Sequence, residues 1–218
     1  MTEATLKLYA HPLSSYCWKV LTALYEQEAV FDYRELGQDF PQHGAELGKA
    51  WPIGRFPVLI DGDRVVAEAS IIIEYLDSVH PAAAPMIPRE GGEAALRVRF
   101  LDRFFDNYVM TPMTAVVADE IRSDGSRDPY AVQQARAMLA RAYAWLEGEI
   151  GERWAAGDDF SLADCAAAPS LYYADKVQPL GSAFPKVAAY LERLKARPSV
   201  ARAVAEAQPY WHMFPLAE

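Results

Sequence analysis

Apolar and polar residues alternate at the start of the chain, and the pattern then changes to a helical period. Residues 5–10 alternate as a half-buried β-strand does, and residues 14–26 carry apolar side chains at the spacing of one helix face. Residues 30–36 predict a second strand. Residues 37–54, rich in glycine and polar side chains, leave room for a short irregular helix. This pattern predicts a β-α-β unit.

A hairpin and a helix follow this unit. Residues 57–60 and 64–67 read as strands, and Asp61-Gly62-Asp63 between them is typical of a tight turn. Residues 70–78 predict a helix that ends at His80-Pro81, because the residue before a proline is disfavoured in a helix. The resulting order, β-α-β-(α)-β-β-α, is that of a thioredoxin-like domain with a parallel crossover first and an antiparallel hairpin after it.

The remainder of the chain has the period of α-helices. Its longest amphipathic stretch, residues 93–122, is expected to bend or break at Pro112, since proline removes a helical hydrogen bond. A polar loop is predicted at residues 123–128. Further helices are predicted at residues 129–150, 162–175, 184–196 and 199–207.

Two prolines and two glycines within residues 82–92 separate these two patterns and predict a linker. We therefore expect an α/β thioredoxin-like domain at residues 1–81, followed by an all-α helical domain at residues 93–218. In the second domain, Ser161 stands three residues before Asp164 ahead of an apolar run, which predicts a reciprocal capping box at a helix start.

Composition narrows the class of protein. The chain has 218 residues, of which 52% are hydrophobic, and its net charge of −9 disfavours nucleic acid and anionic membranes as partners. It has no apolar run of about 18 residues and no basic segment leading into an apolar one at its start, so we expect a cytoplasmic protein. Two cysteines fit a reduced compartment. The four histidines are scattered, so no metal site is expected.

The most informative motif is Phe56-Pro57-Val58-Leu59, with Glu68-Ala69-Ser70 following at the head of an apolar helix. Pro57 cannot donate to a strand ladder, so it belongs at a strand start or on an edge strand. A cis bond before it would expose the backbone of Val58, with which an extended peptide could pair as an added strand. Glu68 beside free helix N–H groups suits the zwitterionic end of an amino acid.

A second candidate site lies where the first strand meets the first helix. Ser14 and Ser15 stand there, and an ordinary helix cap is one explanation for Ser14. The other is chemical, because a hydroxyl that donates to a sulfur stabilises the thiolate and lowers the thiol pKa. Cys17 is expected to be a small buried residue, and Tyr9 is expected to pack rather than react.

Together these features resemble the glutathione-transferase superfamily over nearly the whole chain, including the capping motif in the helical domain. The run from Ser14 to Val20 is similar to the active-site turn of the serine-type classes, especially zeta and theta. The resemblance implies glutathione as co-substrate and Ser14 as the catalytic residue. Ser15, the next residue in the chain, is the alternative catalytic residue. It implies that Phe56, Pro57 and Val58 pair with the cysteinyl backbone of glutathione.

The resemblance also assigns the two ends of glutathione. Glu68 and the residue after it hold the γ-glutamyl group, although that residue is Ala69 here where the family usually has serine, and Ser70 comes one place later. Arg55, with Gln42 or His43, resembles the contacts to the glycine end. The zeta pattern has cysteine directly after the two serines, and this chain has Tyr16 there, which weakens the case for the zeta isomerase reaction.

The second substrate is expected to be a small hydrophobic electrophile bound between the domains. An apolar pocket is predicted from Tyr108, Met110, Met113 and Trp211, although ordinary core packing at helical spacing is the better explanation for most of them. Val117 and Phe214 are further candidates for this lining. The resemblance also implies a homodimer, which is the usual oligomeric state in this superfamily.

Several functions stay open at this point. Within the superfamily they are conjugation, reductive dehalogenation, peroxide reduction and cis–trans isomerisation. A non-catalytic module that binds glutathione or a hydrophobic ligand is the alternative from another class, since fold does not fix function. A disulfide oxidoreductase using Cys17 is disfavoured by the absence of a Cys-x-x-Cys motif.

Overall fold

The computed structural model describes residues 6–80 and 85–216. Thr5, predicted to open the first strand, and residues 82–84 of the predicted linker lie outside the described residues. In the N-terminal part, four strands form one mixed sheet in the order β2-β1-β3-β4. The strands are β1 (Leu6–Ala10), β2 (Asp32–Glu35), β3 (Val58–Asp61) and β4 (Arg64–Ala67).

The sheet has the connectivity that the sequence predicts. Strand β1 pairs in parallel with β2, and the antiparallel hairpin of β3 and β4 joins it on the other side. Three helices accompany the sheet: α1 (Ser15–Glu26), α2 (Pro41–Ala50) and α3 (Ala69–Val79). Helix α2 is a regular α-helix with proline in its first turn, where a missing N–H costs nothing, rather than the irregular segment that was predicted.

Strand β3 begins at Val58, so Pro57 stands directly before a strand start, which is one of the two positions predicted for it. Strand β3 is not an edge strand, because it lies between β1 and β4, and Val58 is in register with Tyr9 on one side and with Ala67 on the other. A peptide therefore cannot pair along β3 as an added strand. Pairing is limited to the turn that precedes the strand, where the Phe56–Pro57 peptide bond is cis.

Helices make up the regular structure of the described C-terminal part. They are α4 (Gly92–Phe104), α5 (Thr111–Glu120), α6 (Pro129–Glu149), α7 (Leu162–Val177), α8 (Pro185–Ala196) and α9 (Pro198–Ala207). Short 3₁₀ turns occur at Asp124–Ser126, Gly181–Ala183 and Gln208–Met213.

The predicted break in the long helix at Pro112 is a π-helical segment ahead of that proline. This segment, Phe105–Met110, joins α4 to α5, and Pro112 lies in the first turn of α5. A π turn adds one residue per turn and leaves backbone groups short of partners. Here Thr111 Oγ1 donates to the carbonyl oxygen of Asp106 at 2.9 Å, which satisfies one of them. The side chains beyond the segment therefore take different faces from those of an unbroken helix.

The two parts share one hydrophobic core, in which helix α7 is central. The start of α7 is fixed by Asp164, which is fully buried and accepts the backbone N–H of Ser161 at 2.9 Å, as the capping box predicts. Asp164 also accepts from the Ala155 backbone and the Tyr190 hydroxyl. Met86, within the predicted linker, is 1% exposed, so this segment packs against the core.

Candidate active site

A cavity of about 560 Å³ lies where the sheet domain meets the helix that contains the π segment. One wall comes from the β1–α1 junction, the turn before β3 and the start of α3. The other wall comes from α4, the π segment and α5. The described lining residues are Ser14, Ser15, Tyr16, Trp51, Arg55, Phe56, Pro57, Ala67, Glu68, Ala69, Arg103, Asp106, Asn107 and Thr114.

Ser14 is the N-cap of α1, and Ser15 is the first residue of the helix. The Ser14 hydroxyl oxygen accepts the backbone N–H of Cys17 at 3.4 Å. Besides this contact, the hydroxyl interacts with the Cys17 thiol, a weak acceptor that a ligand sulfur in the cavity can replace. The hydroxyl also lies at the positive end of the α1 dipole, which favours a neighbouring anion.

The loop that carries Ser14 is anchored from beneath by aromatic side chains. Trp18 donates its indole N–H to the carbonyl oxygen of Pro12, and the hydroxyl of Tyr173 donates to the carbonyl oxygen of Leu13 at 2.7 Å. Both aromatic residues are almost fully buried. Sequence reasoning did not find these anchors, because Tyr173 is 160 positions away from Leu13.

Glu68 precedes α3 in an unusual backbone conformation. Its φ of 72° lies in the left-handed region, which costs a residue with a side chain on the order of 1–3 kcal/mol and tends to occur at functional sites. The Glu68 side chain does not cap its own helix. The first-turn N–H groups of α3, beginning with Ala69, have no intrahelical acceptors. A carboxylate and free N–H groups therefore lie side by side in the cavity wall.

The hydroxyl of Ser70 does not take the place of the serine missing at Ala69. Ser70 is 7% exposed, and its Oγ donates to Asp102 at 2.9 Å and accepts from Lys19 at 2.9 Å. Since this hydroxyl is used inside the protein, the prediction that Ser70 contacts glutathione is not supported by the geometry.

Ser70 belongs to a charged cluster, defined here as Lys19, Ser70, Asp102, Arg103 and Asp106. Lys19 is fully buried and lies 2.5 Å from Asp102 and 2.8 Å from Asp106. Arg103 contacts the same two carboxylates at 2.7 and 2.6 Å. Burial raises the pKa of Asp106, an effect that Lys19 opposes. The cluster links α1 and α3 to the helical domain directly behind the cavity.

The glycine-end residues are divided by the structure. Arg55, Phe56 and Pro57 line the cavity, and Trp51, which sequence reasoning missed, lies beside them. His43 is elsewhere, because its ring Nδ1 is 2.7 Å from the carbonyl oxygen of Glu35 and its ring stacks on that of Phe40. Gln42 is exposed on α2. The structure thus leaves Arg55 as the residue of this group at the cavity.

The predicted apolar pocket is not formed by the residues proposed for it. Met110 and Met113 are 0% and 4% exposed and belong to the core, so ordinary packing explains them. Tyr108 is 45% exposed and packs on Phe104 at 5.3 Å between ring centroids. Trp211 stacks on Tyr173.

The other two candidates for that pocket also pack against the core. Phe214 is buried and Val117 is half-buried. The helical wall of the cavity is instead polar, with Arg103, Asp106, Asn107 and Thr114.

Cys17 and Tyr9 occupy the structural positions that the sequence suggests. Cys17 is fully buried, and burial raises its pKa to about 12 despite the nearby Ser14 hydroxyl. Tyr9 is 3% exposed and donates its hydroxyl to Glu46 at 2.8 Å. A thiol with a pKa this far above neutrality is a poor nucleophile, so the geometry disfavours thiol exchange through Cys17.

These observations define a class: a thioredoxin-like domain joined to a helical domain, with a polar cavity at the start of α1. A family model for the N-terminal domain of glutathione S-transferase matches residues 4–78, and one for the C-terminal domain matches residues 129–193. The chain is 31% identical to a probable maleylacetoacetate isomerase of Vibrio cholerae, covering 94% of this chain and 98% of the relative. The chain belongs to the glutathione S-transferase family.

Solved structures agree with this assignment. A glutathione transferase family member from Pseudomonas fluorescens with bound glutathione is 27% identical, with a TM-score of 0.75 and coverage of 91% of this chain and 98% of that one. A glutathione S-transferase from Methylobacillus flagellatus, solved with GSH bound, has the same fold at 24% identity, with a TM-score of 0.81 and coverage of 91% and 98%.

Two further features bear on the class. Within residues 6–80 and 85–216, the helices are too short or too polar to cross a bilayer. In the same described residues, no group of three or more His, Cys, Asp and Glu side chains is arranged to hold a metal ion.

Proposed function

We propose that this protein is a glutathione transferase that binds glutathione in the 560 Å³ cavity and activates its thiol with Ser14. The observation that carries the proposal is the Ser14 hydroxyl, which caps α1 and lines the cavity. The bound glutathione of the Pseudomonas fluorescens relative supports the choice of co-substrate.

Each end of glutathione has a complementary group in the cavity. Glu68 pairs with the α-ammonium of the γ-glutamyl residue, and the Ala69 N–H donates to its α-carboxylate, helped by the α3 dipole. The backbone of the cysteinyl residue lies against the turn at Pro57 and Val58. Arg55 attracts the glycine carboxylate. In this orientation the cysteinyl sulfur lies on the side of the cavity that carries Ser14.

Ser14 acts by stabilising the thiolate. Its O–H donates to the sulfur, and the N-terminal dipole of α1 adds a favourable field, so the thiol loses its proton at lower pH. The thiolate is the nucleophilic form, and it attacks an electrophilic carbon held against the helical wall. Because that wall carries Arg103, Asn107 and Thr114, the small electrophile also needs polar groups to match it. We therefore propose a small electrophile that has both apolar and polar groups, where the sequence alone indicates a small hydrophobic one.

A non-catalytic glutathione-binding module is the second candidate. Ala69 favours it, since the cavity lacks the hydroxyl that the family usually places there. The Ser14 hydroxyl in the cavity wall favours the enzyme, because a binding module needs no thiolate stabiliser.

Calorimetry with reduced glutathione is expected to show one site per chain with a dissociation constant in the micromolar to millimolar range. Glu68→Gln removes the partner of the ammonium and should weaken binding by roughly tenfold or more. Glu149→Gln is the matched control, because Glu149 is also a glutamate but pairs with Arg97 at 3.3 Å away from the cavity. Absence of heat at about 10 mM glutathione would reject the proposed function.

We also propose that the protein acts in the cytoplasm as a homodimer. Both cysteines are buried and unpaired, in keeping with a reduced compartment. Large apolar side chains are exposed on β4, α3 and α4, among them Val65, Ile71, Leu96 and Phe100 at 40%, 53%, 65% and 46%. The ion pair of Glu74 with Arg99 joins the outer faces of α3 and α4 that carry the last three.

Light scattering is expected to give twice the chain mass of 24.3 kDa. Leu96→Glu places a charge on the proposed interface and should shift the protein to monomer at micromolar concentration, because an unpaired charge at an apolar interface is costly. Ile121→Glu, at an equally exposed apolar residue after α5, should leave the dimer intact. A wild-type monomer would contradict the proposal.

A further inference from the structure

Arg103 is not among the contacts that family resemblance provides, yet its guanidinium lies beside the proposed γ-glutamyl site. It lines the 560 Å³ cavity and an adjoining one of about 290 Å³, and both cavities are also lined by Glu68 and Ala69. Its side chain is 52% exposed, whereas the carboxylates it contacts are almost fully buried. One edge of the guanidinium therefore faces inward and the other faces the cavities.

The hydrogen bonds of Arg103 use its inner edge. Nε donates to Asp102 at 2.9 Å, and Nη2 donates to Asp102, Asp106 and Ser70. Across the described residues Nη1 has no hydrogen-bond acceptor. An arginine carries five N–H donors, and the two on Nη1 are free for a ligand.

These free donors lie close to the start of α3. Arg103 Nη2 contacts the hydroxyl of Ser70, the second residue of that helix. The N–H of Ala69, one residue earlier, is the group proposed to hold the γ-glutamyl carboxylate. A carboxylate at this helix N-terminus is therefore within reach of the exposed edge of the guanidinium.

Because residue 69 is alanine, the site lacks one side-chain hydrogen-bond donor, and Arg103 is positioned to supply another. Many family members have a serine hydroxyl at this position, and this chain has a methyl group, while the hydroxyl of Ser70 is directed to Asp102 and Lys19. On the basis of the proposed function, we propose that Arg103 is a further glutathione-binding residue that donates from Nη1 to the γ-glutamyl α-carboxylate. Glutathione is then clamped between α3 and α4.

The charge balance of the cluster permits this additional anion. Lys19 and Arg103 carry two positive charges and Asp102 and Asp106 carry two negative ones, so the cluster is neutral without ligand. A ligand carboxylate would contact the two N–H donors of Arg103 Nη1 and the N-terminus of α3. The charged cluster behind these donors has no net negative charge to repel it. Hydrogen bonds between arginine and carboxylate are among the stronger ones in proteins.

The test measures glutathione binding by Arg103→Gln with calorimetry, using two ligands. One ligand is glutathione, and the other is 4-aminobutyryl-cysteinyl-glycine, which lacks only the γ-glutamyl carboxylate. Arg103→Gln should weaken glutathione binding by roughly 10- to 100-fold, the range for a hydrogen bond to a charged group. The analogue should bind the wild-type protein and the variant within about twofold of each other, because the group that Arg103 holds is missing.

Two further variants keep the test decisive. Arg97→Gln, on the same helix and paired with Glu149 at 3.3 Å, alters a residue that lines neither cavity and should bind both ligands as the wild-type protein does. Arg103→Lys keeps the positive charge but lacks the paired N–H donors of the guanidinium. Its affinity for glutathione should therefore lie between those of the wild-type protein and Arg103→Gln. All of these variants are expected to fold. In the two Arg103 variants, Asp102 and Asp106 keep their ion pairs with Lys19 at 2.5 and 2.8 Å.

Two results would overturn the assignment of Arg103 while leaving the proposed function in place. One is unchanged glutathione affinity in Arg103→Gln, measured beside a wild-type protein that binds. The other is an equal loss for both ligands in Arg103→Gln and Arg103→Lys, which would make Arg103 a structural residue. Failure of the wild-type protein to bind glutathione would instead reject the proposed function, and the role of Arg103 with it.

Discussion

Ser14→Ala is expected to lower turnover of a general electrophile by about 10- to 100-fold at neutral pH. Removal of the hydroxyl donor destabilises the thiolate relative to the thiol, and the pKa of bound glutathione should rise by about one to two units. The deficit should shrink at high pH, where the thiolate forms without help. A pH–rate profile, together with the thiolate absorbance of bound glutathione, measures both effects in one series of buffers.

The neighbouring residues provide the controls. Ser15→Ala should lose much less activity, because Ser15 has already entered α1 while Ser14 caps it. Cys17→Ala should keep nearly full turnover, since Cys17 is fully buried and burial raises its pKa to about 12. A large loss in Cys17→Ala beside an unaffected Ser14→Ala would replace the serine mechanism with thiol exchange.

The parts of the fold that could be predicted from the sequence are those governed by local pattern. Alternation and helical period place β1, α1 and the hairpin, and their order is confirmed. The cap at Ser14 and the capping box at Asp164 follow from residues three apart in the chain. Such interactions are encoded within one turn of helix, so a sequence read one segment at a time contains them.

The π segment was not predicted from the sequence, and neither was the polar helical wall of the cavity. A π turn inserts one residue into the helical period at Phe105–Met110, and no glycine or proline within it gives a signal. The period of an unbroken helix assigns Met110 and Met113 to the cavity. The structure buries both and turns Asp106 and Asn107 toward the sheet domain.

The charged cluster was equally hidden from the sequence. Lys19 and Asp106 are 87 positions apart, and Ser70 and Asp102 are 32 apart. Lys19 on α1 is fully buried, although lysine side chains are mostly exposed in proteins. Because Ser70 belongs to this cluster, its hydroxyl bonds to Lys19 and Asp102, which only the tertiary structure reveals.

The burial of this cluster leads to the prediction with the largest expected effect on stability. Lys19→Met keeps the length of the side chain but removes the buried cation, and the free energy of unfolding at pH 7 should fall by about 3–5 kcal/mol. Asp102 and Asp106 then remain buried with Arg103 alone, and Asp106 Oδ1 already lacks a hydrogen-bond partner among the described residues. Urea denaturation followed by far-ultraviolet circular dichroism measures the loss.

The pH dependence of this loss tests its electrostatic origin. Burial already raises the pKa of Asp106 in the folded protein, and loss of Lys19 should raise it further. A carboxyl with a raised pKa in the folded state is costly when ionised at high pH, and that cost disappears as the pH falls below its unfolded-state value. The gap between wild type and Lys19→Met should therefore be widest near pH 7 and narrow toward about pH 4.

The matched control is Lys195→Met, where an exposed lysine pairs with Glu192 at 2.8 Å on the surface. Its effect should stay below about 1 kcal/mol at any pH, as for other surface ion pairs. Adding Asp106→Asn to Lys19→Met should recover part of the lost stability, because one unpaired buried charge is removed. A loss that is equal at pH 4 and pH 7, or no recovery in the double variant, would assign the effect of Lys19 to packing of its side chain instead of to its charge.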